Sequence, residues 1–213
     1  MGSKYSIIDV ETWKRKEYCQ IYRKAVQPQY CVSCEVNVTR FKKLVKEKNW
    51  SFTMAFIYAV TKCANEIEEF RYRFLDGAVV LYESINTSFT YIDKETELFK
   101  VVNVPMQDSV EKYVQLAGKT AKSQKEHFTG PVENDVYQFS ALPWVCFTHI
   151  SHTDFGNSEK AQPIFDWGKY YEKDGTWWMP FAVQVHHAFV DGIHIGKLAD
   201  VLQKYLNGVY RVI

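Results

Sequence analysis

The chain has 213 residues, a length one compact domain uses, and its 26 Lys and Arg against 25 Asp and Glu leave a formal charge of +1. That balance lacks the basic excess of a nucleic-acid binder. With 46% hydrophobic and 16% aromatic residues and only 10 Gly and 6 Pro, the composition also excludes a disordered or linker-like chain.

In chain order, the first ten residues lack the apolar run of a signal peptide, and no later stretch approaches the ~18 apolar residues of a membrane span. A cytoplasmic protein with no membrane partner is expected. Cys31 and Cys34 form a lone C-x-x-C within Val32 to Val38, where Val32, Cys34, Val36 and Val38 alternate as one face of a strand, so the pair reads as structural. Five cysteines, an odd number, argue for reduced thiols rather than a disulfide framework.

Helical spacing appears at Phe41, Leu44, Val45 and Lys48. It returns from Ser51, a suitable cap, to Phe70, apolar almost all round and therefore buried on most sides. A third helix is expected from Asp108, with Val110, Tyr113, Val114, Ala117 and Ala121 in one stripe. Strands are predicted over Ala78 to Glu83, Thr87 to Ile92, Leu98 to Val102, Val136 to Ser140 and Trp144 to Ile150, all rich in β-branched and aromatic residues. Ile164 to Glu172 and Thr176 to His187 flank Asp174-Gly175, a hairpin signal. A last helix opens at Asp191-Gly192, with Ile195, Leu198, Leu202 and Tyr205 as its stripe. No repeat or linker divides the chain, so a single domain over 1–213 is expected, an α+β sandwich of antiparallel or mixed sheet with helices.

Chemistry concentrates in Val185-His-His-Ala-Phe-Val-Asp-Gly192, where a strand ends, turns and opens a helix. A His there suits general-base work near neutral pH, and Asp191 is placed to orient it, cap the helix or pair with a cation. Two ordinary structural histidines explain the same residues. A metal site from His186, His187, Asp191 and His194 is disfavoured, because consecutive strand residues point to opposite faces, and no metal is expected.

The run Gln184-Val-His-His-Ala-Phe-Val-Asp-Gly192, with Ser140-Ala-Leu-Pro-Trp144 and Trp13-Lys-Arg-Lys-Glu17, resembles the chloramphenicol acetyltransferases. The likeness is collinear over essentially the whole chain, through Phe89-Thr90, Glu95-Thr96, Phe99 and Gly168-Lys169-Tyr170. It implies a CoA-dependent acyltransferase fold, acetyl-CoA as co-substrate, no permanently bound cofactor, and a homotrimer with active sites between subunits. It also implies that His187 is the base, that Ser140 donates to the oxyanion, and that Arg15 pairs with Asp191 to hold the loop. Tyr22, Tyr30, Thr90 and Phe99 match acceptor-pocket positions, and Lys169 and Tyr170 match a region near the CoA nucleotide.

The chain departs from the family after Trp144. His152 and Asp154 fall at pocket positions that are apolar in the drug-resistance enzymes, and Asp166 where those enzymes carry a Thr close to the oxyanion. A carboxylate there opposes the intermediate unless it is protonated or turned away. The expected reaction is acetyl transfer to a hydroxyl of chloramphenicol. The alternatives are a relative acting on another hydroxyl or amine, and a non-catalytic binding protein on the same scaffold.

Overall fold

The computed structural model describes residues 3–130, 132–153 and 156–208. Asp154 lies outside the described residues.

A small antiparallel sheet, in the order β1-β4-β3, is built from β1 (Tyr5–Ile7), β3 (Tyr72–Leu75) and β4 (Ala78–Tyr82). The main sheet has seven strands: β2 (Gln29–Asn37), β5 (Asn86–Ile92), β6 (Phe99–Val104), β7 (Val136–Leu142), β8 (Ile164–Gly168), β9 (Tyr171–Lys173) and β10 (Thr176–His186). Their order is β2-β10-β8-β7-β5-β6, with β9 also paired to β10. The sheet is mixed: β7 runs parallel to both β5 and β8, and the other pairs are antiparallel. The helices are α1 (Lys16–Arg23), α2 (Thr39–Glu47), α3 (Phe52–Asn65), α4 (Val110–Ser123) and α5 (Gly192–Leu206).

Alternation sorts the main sheet into two faces. Tyr137, Phe139, Phe165, Trp167, Phe181, Val183 and Val185 are buried on the face against α3, where Phe56 meets Trp167 and Phe181 with ring centroids 5.1 and 5.8 Å apart. The opposite face carries Ser33, Gln138, Ser140, Asp166, Ala182 and Gln184. Register places Ser140, Asp166, Ala182 and Ser33 side by side across β7, β8, β10 and β2. Ser140 and Asp166, at one end of this row, belong to one half of the candidate site.

Three sequence expectations need correction. Helix α3 stops at Asn65, and a separate 3₁₀ turn covers Glu68–Arg71, so the helix does not reach Phe70. The Asn65 side chain donates to Ile85 O (3.0 Å) and accepts from Ile85 N–H (2.9 Å), a side-chain pairing with the backbone of a neighbouring segment that favours leaving the helix. Helix α4 is capped by Ser109, whose Oγ accepts from Lys112 N–H at 3.3 Å, while Asp108 pairs with the Lys112 ammonium. Trp144 to Ile150 is no strand: β7 ends at Leu142, Pro143 has no N–H for a ladder, and Trp144 and Val145 lie exposed. The Asp174-Gly175 hairpin forms as expected, both residues having positive φ (52° and 73°), the backbone of a tight turn between twisted strands.

Candidate active site

Strand β10 ends at His186, and the motif turns sharply before α5. His186 points inward. Its Nε2–H donates to Ser158 O (2.8 Å), its Nδ1 accepts from Ala188 N–H (3.1 Å), and its ring lies 5.3 Å from Phe74. Both ring nitrogens are thus committed to a neutral tautomer, and burial pushes the group down to about 4.

His187 points outward. Its ring stacks on Tyr22 (4.2 Å, 11° between planes) and tilts against Tyr30 at 4.7 Å, while the His187 backbone N–H donates to Pro28 O at 3.0 Å. Nδ1 is buried and lies 3.2 Å from Asp191 Oδ1 without making a hydrogen bond, which leaves Nε2 on the exposed edge. Tyr30 O–H donates to Val190 O at 3.2 Å, and burial with the nearby Asp191 charge pushes its phenol up to about 12.

Arg15 ties this turn together. Its guanidinium donates twice to Asp191 (Nη1 to Oδ2, 2.6 Å; Nη2 to Oδ1, 3.0 Å), once through Nε to Ala188 O (3.0 Å), and through Nη2 to His187 O (3.3 Å). Hydrogen bonds from Arg15 and its positive charge hold the Asp191 carboxyl below its ordinary range, against partial burial. His194, weighed in the sequence only as a disfavoured metal ligand, has a structural role in this turn that the sequence reading missed. Asp191 N–H donates to His194 Nδ1 (2.9 Å), and His194 Nε2 faces Glu69 Oε1 at 3.5 Å. A His at the third helical position after a capping Asp is the signal that could have found it.

Ser140 lies elsewhere on the chain. It borders a cavity of about 470 Å³, with Ser51, Thr53, Thr90, Phe99 and Trp144, and a smaller one of about 190 Å³, with Ser88, Thr90, Gln138 and His152. Asp166 is fully buried and lines neither. His152 Nε2 and Asp166 Oδ2 are 2.8 Å apart, so the charge anticipated beside the oxyanion is paired within the protein. Burial raises the Asp166 carboxyl, with the hydrogen bond and charge of His152 opposing that rise. Lys169 N–H donates to Val145 O (2.8 Å), and Tyr170 sits against Phe52 and Trp177.

The predicted residues therefore fall into two groups. Arg15, Tyr22, Tyr30, His187 and Asp191 form one; Thr90, Phe99, Ser140, His152 and Asp166 form the other. Register puts Ser140 two strands across from Ala182, and His187 five residues further along β10 and its turn. At about 4.8 Å per strand and 3.3 Å per residue, Ser140 and His187 are roughly 19 Å apart in one chain. No single substrate carbonyl touches both.

Among the described residues no helix is long and apolar enough to cross a membrane, and no group of three or more His, Cys, Asp or Glu side chains is placed to hold a metal.

A mixed sheet presenting a strand-end H-H-x-x-x-D-G turn, its Asp locked by an Arg, defines a CoA-dependent acyltransferase fold, and the chain is an acyltransferase. More narrowly, the family model for chloramphenicol acetyltransferase matches residues 3–203, and the chain belongs to that family. It is 30% identical to a chloramphenicol acetyltransferase of Klebsiella sp over 207 residues, covering 95% of this chain and 94% of the relative. It is 27% identical to chloramphenicol acetyltransferase 2 of Haemophilus influenzae, covering 97% and 99%. A solved chloramphenicol acetyltransferase superposes with a TM-score of 0.87 at 30% identity, covering 95% of this chain and 100% of that one. The cubic core of the pyruvate dehydrogenase multienzyme complex shares the fold at a TM-score of 0.62 and 15% identity, covering 90% and 88%.

Proposed function

We propose that this protein is a chloramphenicol O-acetyltransferase that uses acetyl-CoA, works in the cytoplasm as a homotrimer, and completes each site across a subunit boundary. The observation that carries the reading is the motif turn: a His with its Nε2 exposed and its backbone carbonyl held by the same Arg that grips the motif Asp. Family membership supplies the substrates.

The chemistry follows from these groups. His187 Nε2 takes the proton of the acceptor hydroxyl as its oxygen attacks the thioester carbonyl carbon. A carbon–oxygen bond forms, and the carbonyl oxygen gains the negative charge. Ser140 O–H donates to that oxyanion. Collapse of the intermediate breaks the carbon–sulfur bond, and the CoA thiolate takes the proton back from His187. The acetyl group never rests on the protein, so no cysteine nucleophile is required. Burial raises the thiols of Cys19, Cys31, Cys34 and Cys63, which suits them to the core rather than to attack.

The roughly 19 Å between His187 and Ser140 is the reason a second copy is required. Release of the CoA thiol from acetyl-CoA, followed with a thiol reagent, tests the reading. Release that depends on chloramphenicol and is matched by acetylated product is the expected result; release that ignores chloramphenicol sinks the assignment.

A further inference from the structure

The His152–Asp166 pair occupies an unusual position. Asp166 has no solvent exposure, its Oδ1 has no hydrogen-bond partner, and it sits on β8 directly beside Ser140 on β7. A carboxylate in that setting is costly unless it is paired and hydrogen-bonded. Its partner is His152, which lines the smaller cavity together with Ser140, Thr90 and Gln138. Gln138 adds a second unsatisfied group: its Nε2 is buried without a partner. The two side chains meet the same cavity and flank Ser140, so a bound molecule there finds the Gln138 amide donor and the imidazole together. An apolar ring satisfies neither; an amide or a hydroxyl carries the complementary atoms.

We propose that His152, anchored through Nε2 on the buried Asp166 carboxylate, and the Gln138 amide together hold an amide or hydroxyl of the acyl acceptor beside Ser140, which makes Asp166 a positioning residue for acceptor specificity. The inference rests on the chloramphenicol reading above, since chloramphenicol is an amide diol. It reverses the expectation drawn from Asp166 alone. The carboxylate does not face the intermediate; it acts through the imidazole it holds.

The experiment is steady-state kinetics of the full-length enzyme with chloramphenicol and acetyl-CoA. Asp166→Ala frees the imidazole and is expected to raise the chloramphenicol KM about tenfold, with the acetyl-CoA KM within about twofold, as for loss of one well-made hydrogen bond. Asp166→Asn keeps an oxygen that accepts from His152 Nε2–H, so it restores the KM to within about threefold of wild type. Gln138→Leu removes a donor with no partner in the folded chain; it therefore spares the melting temperature while raising the same KM, and it decides the matter if Asp166→Ala fails to fold. Chloramphenicol KM values within about twofold of wild type in Gln138→Leu and in folded Asp166→Ala, or equal rises in both substrates' KM, overturn the proposal while leaving the chloramphenicol reading intact. Wild-type enzyme that ignores chloramphenicol overturns that reading, and this inference with it.

Discussion

Arg15 reaches Asp191, Ala188 and His187 at once, so one side chain fixes both ends of the turn that presents the imidazole. Arg15 is nearly buried and the Asp191 side chain is 29% exposed, which places the pair between the surface and interior limits. Asp191→Ala is accordingly expected to cost about 2–3 kcal/mol of folding stability, below the full penalty of a wholly buried pair, read from denaturant titration. Arg15→Lys keeps the charge but loses the two-pronged geometry, and is expected to lower kcat while the melting temperature stays close to that of wild type. His186 gives a pH signature. The unfolded chain protonates it near its ordinary value and the folded chain only at about 4, so the unfolded state binds more protons in between. Stability therefore falls as pH drops from about 6.5 to about 4, by roughly 3 kcal/mol, and urea titrations of His186→Gln over that window should show a flatter profile. The two histidines were legible in sequence because strand alternation assigns them opposite directions and the family resemblance chooses between them. The His152–Asp166 bond was not: one partner lies in a loop, and only the register of β7 on β8 brings the other beside Ser140.

At the scale of elements, local pattern succeeded where one face of a helix or strand meets the core. Phe41 and Val45, then Tyr113, Ala117 and Ala121, are buried where their spacing put them. It failed where tertiary pairing decides. Trp144 to Ile150 has strand composition, yet β8 takes the edge of β7 in parallel after the chain has looped away, and Pro143 and Trp144 at the start of the loop border the Ser140 cavity instead. Gly168 permits that arrangement. A Cβ there meets Val145 O at 2.6 Å and Pro180 Cγ at 2.8 Å, and the first of these is backbone that cannot rotate aside. Gly168→Ala is expected to displace the Leu142 to Val145 turn, destabilise the protein by about 1–3 kcal/mol and raise the acetyl-CoA KM, measured by thermal melts and initial rates.

At the scale of the molecule, the roughly 19 Å between Ser140 and His187 within one chain is the feature that sequence reading reached only through resemblance, because composition does not reveal a partner copy. Light scattering should give about 75 kDa, three times the 25.0 kDa chain. Mixing subunits is more searching. In trimers assembled from equal amounts of His187→Ala and Ser140→Ala chains, about a quarter of the interfaces pair an intact His187 with an intact Ser140 from the neighbour. Activity near that fraction of wild type, far above either variant alone, is expected; activity no greater than the average of the two variants would place both groups in one chain.

The role of His187 in moving the proton for acetyl transfer to chloramphenicol is decided by kcat for His187→Ala measured beside His186→Ala, with folding of each checked by circular dichroism. With His187 as the base, kcat falls about 10³-fold or more in folded His187→Ala, whereas His186→Ala loses stability and its remaining folded enzyme turns over far faster. A folded His187→Ala enzyme within about tenfold of the wild-type rate would contradict it.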